Sequence, residues 1–468
     1  MSIRLLAITC LLGAWPALAA EPDASDFCGG PELRVDAAFP VSDAQCAKLS
    51  ALHAAREHGL DPADYRLQEI EALAAHSLNA RHERLDELLD EAYRKFASDV
   101  SLGRVDPELA DPDWHIPSRR GGPDDESKPL DEAIAASPFP PHPAYARLRT
   151  AMTAYLEIQS GGGWPTLPDG PALSVGMRDE AVEIARDRLR ITGDFDADVE
   201  ADAWFFGAGL DAAVRAFQAR QGLKVDGVVG GDTREAMNVP VEARIEQLAI
   251  ALERWRWVPR ELGTDYAWVN VAELRLRVVG DGEPRLTSRV IVGHSSRPTP
   301  SLQGEIRQLV FNPSWSLPTT IATEDLLPKI QRDPEFLARG GYRVYTGRGA
   351  EQREVDPATI DWAAQRPDRL PYRFVQDPGP NNSLGRIKLV FNNPYDIYLH
   401  DTPAKSLFTL RTRMFSSGCV RVERAHELAD LLLASHTNHP DWTSSEILED
   451  PATQTVNLEK RLPIYLVY

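Results

Sequence analysis

Two residues in the last quarter of the chain have the types and spacing of a nucleophile and its base. His400 ends the apolar run 397–400, and Cys419 follows 19 positions later, directly after Ser416-Ser417-Gly418. The residues that follow Cys419, 420–432, have an amphipathic helical pattern, so we expect the thiol at a helix N-terminus. Free N–H groups and the helix dipole favour a thiolate there. A thiolate with an imidazole in reach is an activated nucleophile for acyl transfer.

Acyl transfer also requires hydrogen-bond donors for the oxyanion and contacts that hold the substrate. The backbone N–H groups of Ser417, Gly418 and Cys419 are predicted to supply the donors, because a glycine turn into a helix directs amides towards one point. Arg421 is predicted to bind a substrate carboxylate bidentately. The alternative for this arginine is a surface salt bridge to one of two neighbouring carboxylates, Glu423 or Asp401.

Length and composition limit the classes of protein to consider. The 468 residues suggest about three domains, and 43% hydrophobic with 26% charged residues is typical of a globular protein. The net charge of −19 argues against nucleic acid or an anionic membrane surface as a partner. The remaining histidines form no pattern of metal ligands, so we predict neither a metal nor a cofactor.

The N-terminal residues have the pattern of a secretory signal peptide, which we assign to 1–19. Arg4 is followed by the apolar run 5–14 and by Ala17-Leu18-Ala19, a small-residue cleavage pattern. The apolar run is too short for a transmembrane anchor. Cleavage would leave three cysteines, an odd number in an oxidising compartment. Cys28 and Cys46 could then pair, which would leave Cys419 as a free thiol.

Helical patterns dominate the chain up to about residue 260. Residues 20–170 are predicted to be a helical scaffold with Pro/Gly-rich connections at 107–143 and 160–171. Its clearest apolar face is Leu85, Leu88, Leu89, Ala92 and Phe96. Residues 171–240 are predicted to be a three-helix module, and 241–262 a linking helix.

Beyond Pro259 the hydrophobic period changes to that of strands. Strands are predicted at 268–271, 274–278, 290–292, 309–311, 387–391 and 462–468. The stretch 316–374 has a helical and loop-like pattern and is predicted to be an insertion that could act as a lid. The predicted fold is a multidomain α+β protein with a helical N-terminal region and a three-helix module. A mostly β catalytic domain follows in 263–468, with an inserted helical cap.

Several strings in these segments resemble known families. Residues 213–233, with Phe217-Gln218 and the Asp226-Gly227-Val228-Val229-Gly230 string, resemble the peptidoglycan-binding domain of wall enzymes. The catalytic segment resembles the L,D-transpeptidase (YkuD-type) domain, in particular its large periplasmic branch. The strings that carry this resemblance are 311–315, 327–329, 378–386, the His-Asp-Thr-Pro run at 400–403 and the Ser-Ser-Gly-Cys-Val-Arg run at 416–421.

The resemblance implies a periplasmic enzyme that acts on peptidoglycan. Cys419 would attack the third, diamino-acid residue of a donor tetrapeptide stem and expel the terminal D-alanine, while His400 moves the proton. The amine of a second stem would resolve the thioester into a link between two third-position residues. Carbapenems would acylate the same cysteine. The alternatives are an L,D-carboxypeptidase or cross-link hydrolase with the same Cys/His pair and a non-catalytic wall-binding protein.

The matching strings also suggest four substrate contacts. Trp315 and Tyr398 are predicted to line the donor groove, with packing in the core as the alternative. Asn382 and Ser383 are predicted to face substrate, although the turn-rich run around them explains both residues equally well. Many relatives have histidine where this chain has Ser417, so no second histidine is expected to assist Cys419.

Overall fold

A computed structural model describes residues 43–74, 82–117, 138–196, 202–347 and 349–468. These residues form two compact units. The first contains the described residues up to 112 together with those from 117 to 261, and the second contains 113–116 and 262–468. The predicted signal peptide and Cys28 lie outside the described residues. No helix in the described ranges is long and apolar enough to span a membrane.

The first unit is helical, as predicted. In chain order its helices are α1 Asp43–His53, α2 Leu67–Ala74, α3 His82–Leu102, α4 Pro107–Ala110, α5 Pro143–Ser160, α6 Glu180–Ile191, α7 Ala208–Arg220, α8 Gly231–Met237 and α9 Val241–Trp257. The predicted apolar face of α3 is buried in a core with residues of α1 and α2. Cys46 is disulfide-bonded, and its pairing with Cys28 remains a prediction.

Helices α6, α7 and α8 form the predicted three-helix module around a core of its own. The side-chain amide of Gln218 links the Phe-Gln string of this module to its Asp-Gly string through hydrogen bonds. Its Nε2 donates to Asp226 Oδ1 at 2.9 Å and to the Val228 carbonyl at 3.0 Å. Its Oε1 accepts from the N–H groups of Asp226 and Gly227. This side chain therefore fixes the turn before α8.

The second unit is built on a nine-stranded sheet and a smaller four-stranded sheet. The strands are β1 Asp265–Asn270, β2 Arg275–Gly280, β3 Glu283–Gly293, β4 Leu302–Phe311, β5 Trp315–Ser316, β6 Tyr342–Thr346, β7 Arg353–Val355, β8 Tyr372–Gln376, β9 Ile387–Phe391, β10 Leu399–His400, β11 Met414–Ser416, β12 Val420–Val422 and β13 Gln454–Val467. The larger sheet has the order β11-β3-β12-β10-β9-β4-β13-β1-β2, and β2 also pairs with β3. All six predicted strands are present.

One face of the larger sheet forms the main core of the second unit. Alternate residues of its strands point to this face, where they pack against helix α12, Ala425–His436. A short helix, Ser444–Ile447, follows before β13.

The insertion between β4 and β9 contains the predicted helices and, in addition, a sheet that the sequence analysis did not predict. A π-helix at Ile321–Leu326 is followed by α10 Leu327–Arg332 and α11 Phe336–Arg339. Strands β5-β8-β6-β7 form the four-stranded sheet, and the insertion has its own apolar core. The predicted multidomain α+β architecture is otherwise confirmed.

Candidate active site

The register between two central strands places the predicted nucleophile and base on the same face of the sheet. Strand β10 runs parallel to β12, with Leu399 opposite Val420 and His400 opposite Arg421. Leu399 and Val420 are fully buried in the core that contains α12. Because successive side chains of a strand point to opposite faces, His400 and Arg421 point away from that core.

The same register continues one residue towards the N-terminal side of both strands. The Val420 N–H donates to the Tyr398 carbonyl at 3.1 Å, which sets Cys419 opposite Tyr398. Tyr398 and Cys419 therefore lie on the same face as His400. The His400 and Tyr398 rings meet edge to face, with 5.7 Å between their centroids. The structure brings these four residues together on adjacent strands.

The prediction that Cys419 begins a helix is wrong. Residues 420–422 form strand β12, and helix α12 begins only at Ala425. Val420 and Val422 are β-branched residues that complete the sheet between β3 and β10, so tertiary pairing overrides the helical pattern of this segment. The helix dipole consequently does not act on the thiol, and other groups must stabilise a thiolate.

Cys419 is partly exposed. Burial raises the pKa of the Cys419 thiol, while hydrogen bonds from the backbone N–H and the hydroxyl of Tyr398 and the charges of Lys388 and Arg421 act in the opposite direction. The Sγ atom lies 3.7 Å from the Asp396 carbonyl, to which the thiol donates. The resting group is therefore a neutral thiol surrounded by groups that favour the thiolate.

His400 is neutral in the folded protein. Burial and then the nearby Arg421 guanidinium lower its pKa to about 3, although the carbonyls of Asp401 and Leu384 act in the opposite direction. The Nδ1 atom lies 2.5 Å from the Asp401 carbonyl. Because a carbonyl only accepts, Nδ1 carries the proton and Nε2 has the free lone pair. This is the tautomer that a general base requires.

The turn before Cys419 is held by a serine that the sequence analysis did not single out. Ser416 is buried, and its hydroxyl donates to the Cys419 carbonyl at 2.5 Å and accepts from the Gly418 N–H at 3.3 Å. Gly418 has a φ of +112°, and a Cβ there would lie 3.0 Å from Ile397 Cδ1. Among the three predicted oxyanion donors, the Gly418 N–H is therefore already engaged. Within the described ranges, those of Ser417 and Cys419 have no hydrogen-bond partner.

Arg297 connects this turn to the insertion. Its guanidinium donates to the Ser417 hydroxyl at 2.8 Å and to the two carboxylate oxygens of Asp325 at 2.8 and 2.7 Å. Asp325 belongs to the π-helix of the insertion. Thr299, two residues after Arg297, donates to the Gly418 carbonyl at 2.7 Å. No motif in the sequence indicated these contacts, because they join segments that are distant along the chain.

The salt-bridge alternative for Arg421 is not what the structure contains. Glu423 accepts from Arg289 Nε at 2.8 Å, and Asp401 accepts from Lys405 Nζ at 2.5 Å. In the part of the chain that the structure describes, the buried Nε of Arg421 has no hydrogen-bond partner. Among the described residues, no carboxylate forms an ion pair with Arg421, which lies on the same face as the thiol.

Two aromatic residues, Tyr398 beside Cys419 and Trp315 beside Tyr398, lie at the site. Tyr398 is half-buried, and burial together with the neighbouring Cys419 raises its pKa, whereas the Trp315 indole acts in the opposite direction. Trp315 is half-buried at the start of β5, the first strand of the insertion. Both residues therefore lie at the site and not in the core of the larger sheet.

Asn382 supports the site without facing it, and Ser383 is half-buried next to it. Asn382 is 1% exposed, and its amide donates to three backbone carbonyls and accepts from the Leu384 N–H at 2.8 Å. It has no polar atom left for a substrate, so the structure supports the turn-forming alternative. Ser383 interacts with the Tyr342 hydroxyl of the insertion. Together these bonds hold the Leu384 carbonyl beside His400.

Gly385, in the same run, allows close packing behind the base. It has a φ of +64°, and a Cβ there would collide with the Asp401 carboxylate. That carboxylate accepts from the Arg386 N–H at 3.0 Å. The run 378–386 is therefore the support that fixes the backbone of Asp401, and with it the imidazole.

Comparison with known proteins agrees with this geometry. Residues 264–447 match the family described as "L,D-transpeptidase catalytic domain", 41–152 match "Scaffold domain", and 178–237 match "Putative peptidoglycan binding domain". A curated protein of Haemophilus influenzae, named "Putative L,D-transpeptidase", is 35% identical over 229 residues, which are 48% of this chain and 44% of that protein. The chain thus spans less than half the length of this relative.

Solved structures give only distant likenesses. L,D-transpeptidase 3 of Mycobacterium tuberculosis, in complex with a faropenem-derived adduct, is 10% identical, with 44% of this chain and 60% of that chain covered and a TM-score of 0.22. An L,D-transpeptidase of Stackebrandtia nassauensis is 15% identical, with 65% and 97% covered and a TM-score of 0.25. Scores this low support no conclusion about this chain. The family matches support more: residues 264–447 match the YkuD-type L,D-transpeptidase catalytic domain, and residues 178–237 match the family described as a putative peptidoglycan binding domain.

Proposed function

We propose that this protein is a peptidoglycan L,D-transpeptidase that forms links between third-position residues of stem peptides through a thioester on Cys419. The observation that carries the proposal is the common face of β10 and β12. On that face a partly exposed thiol lies on the strand next to a neutral imidazole whose Nε2 is free to accept a proton.

The first half-reaction would form the acyl-enzyme. The Cys419 sulfur attacks the carbonyl carbon of the third residue of a donor tetrapeptide as the thiol proton moves to His400 Nε2. The N–H groups of Cys419 and Ser417 stabilise the oxyanion. When the tetrahedral intermediate collapses, the C–N bond breaks, the imidazolium returns its proton, and D-alanine leaves as an amine.

The second half-reaction repeats these steps with a different nucleophile. The side-chain amine of an acceptor stem attacks the thioester, His400 accepts its proton, and the thiol is regenerated as the new amide forms. Arg421 is the cation available to a donor carboxylate, because neither Glu423 nor Asp401 occupies it. Carbapenems are proposed to acylate the same sulfur.

The substrate also determines where the protein must work. Peptidoglycan lies outside the cytoplasmic membrane, so we propose that residues 1–19 direct export of the chain to the periplasm and are then removed. The domain boundaries given above (20–170, 171–240, 241–262 and 263–468) are likewise proposed. The module at 171–240 would hold the enzyme on its polymer.

One incubation tests the proposal against its nearest alternative. The mature protein and Cys419→Ala are incubated with disaccharide-tetrapeptides, and the products are read by mass spectrometry. Cross-linked dimers that require Cys419 are expected. A bare tripeptide without dimer would identify an L,D-carboxypeptidase, and the absence of any product that depends on Cys419 would contradict an enzymatic role.

A further inference from the structure

Lys388 is a cation on the catalytic face that the mechanism above does not use. It lies on β9, directly opposite His400 across the antiparallel pair β9–β10. Its neighbours along the strand, Ile387 and Leu389, are fully buried in the main core, so Lys388 points to the opposite, catalytic face. Its Nζ lies 3.9 Å from the centroid of the Tyr398 ring.

The ammonium of Lys388 has no salt bridge in the described ranges, although it is half-buried. Lys405 and Lys460, in the same unit, are both paired with aspartates. A partly desolvated charge is costly unless an anion or an aromatic face compensates it. The Tyr398 ring supplies part of this compensation. Burial lowers the pKa of Lys388, while Cys419, once it ionises, and the Asp396 carboxylate attract the ammonium and act in the opposite direction.

Few of the groups near the Cys419 sulfur carry a positive charge. On β10, His400 is neutral and the Tyr398 phenol is protonated, because burial raises its pKa. On β12, Arg421 is the cation that the proposed mechanism assigns to a donor carboxylate. Across β9 from Lys388 lies the uncharged Val310 of β4. Among the described residues on this face, Lys388 is thus the cation to which the proposed mechanism assigns no substrate group.

We propose that Lys388 stabilises the Cys419 thiolate, acting as a positioning residue across the face of the Tyr398 ring. This inference depends on the proposed function only in that Cys419 is the nucleophile. The pKa of Cys419 supports it, since the charge of Lys388 acts on the thiol against the effect of burial. In the reaction, Lys388 would offset the negative charge on sulfur as the thiol proton leaves for His400.

The test is the pH dependence of Cys419 alkylation by iodoacetamide in the full mature protein. Lys388→Met and Lys388→Gln remove the charge, and Lys388→Arg keeps it. Lys460→Met is the matched control, because it removes one positive charge from an exposed position of β13. Both neutral variants are expected to raise the apparent pKa of the thiol by about one unit, which slows alkylation about tenfold at neutral pH. Lys388→Arg and Lys460→Met should retain the wild-type profile.

Two results would overturn the inference. One is a profile for Lys388→Met and Lys388→Gln that coincides with that of Lys460→Met. The other is failure of both neutral variants to show a cooperative melting transition, since Lys388 would then act in folding. Alkylation requires no peptidoglycan, so a protein that forms no cross-links would still show the shift. Failure of this inference can therefore be distinguished from failure of the proposed function.

Discussion

The ionisation state of the resting site can be tested through the reactivity of Cys419. With a pKa of about 3, roughly one His400 ring in ten thousand is protonated at pH 7. The thiol pKa is raised above its ordinary value. The free enzyme should therefore hold a neutral thiol and a neutral imidazole, in contrast to a thiolate–imidazolium pair.

The two states differ in how the alkylation rate changes with pH. For a neutral thiol the rate follows the thiolate fraction and rises about tenfold per pH unit, hence about a hundredfold from pH 6 to pH 8. A thiolate–imidazolium pair would give a plateau between the two pKa values. The assay is pseudo-first-order alkylation by iodoacetamide, followed as a mass shift on Cys419.

The His400→Gln variant completes the test. A neutral histidine contributes no charge to the thiolate, so this variant should keep the wild-type alkylation profile while it loses cross-linking. A wild-type plateau below pH 7 that disappears in His400→Gln would refute the reasoning, because it would require a protonated His400 beside the sulfur.

Three further predictions follow from contacts in the second unit. Asn382→Ala should destabilise the protein by about 2–4 kcal/mol, because it leaves buried backbone groups without partners. The control, Ser383→Ala, should lower the melting temperature much less. An unchanged melting temperature of Asn382→Ala with a raised KM would instead indicate a substrate contact. Ser416→Ala should lower the free energy of unfolding, measured with denaturant, by about 1–3 kcal/mol and should slow acylation. Ser417→Ala is the control. An equal effect of the two substitutions would contradict the role of the buried Ser416 hydroxyl. Since the folded pKa of His400 lies below its unfolded value, stability should fall as pH drops below 6.5, by about 2 kcal/mol at pH 5, and His400→Gln should flatten this slope.

The sequence was most informative about residues whose type determines the chemistry and about segments in which one hydrophobic period continues over many residues. The pairing of Cys419 with His400 depends on side-chain chemistry, and the structure places both on one face. The apolar ends of the long strands β4 and β13 were predicted, at 309–311 and 462–468, whereas 302–308 and 454–461 were not. The apolar stripes of α6 and α7 identify the three-helix module.

The sequence was least informative where short segments take their structure from distant partners. Strand β12 has three residues, too few to distinguish an alternating pattern from the first turn of a helix, and its pairing with β3 and β10 decides its form. Strands β5 and β7 of the insertion are similarly short, with two and three residues. Lys388 sits between buried residues of β9, yet only the register of β9 with β10 shows that it lies opposite His400.

The most direct test of the central claim is the intact mass of the protein during turnover. Rapid quenching after mixing with a donor tetrapeptide should reveal an adduct on Cys419 equal to the donor without its terminal D-alanine, and the addition of an acceptor stem should discharge it into a cross-linked dimer. His400→Gln should form this adduct far more slowly, and Cys419→Ala should not form it. Dimer formation by Cys419→Ala, or an adduct on any other residue, would contradict the account.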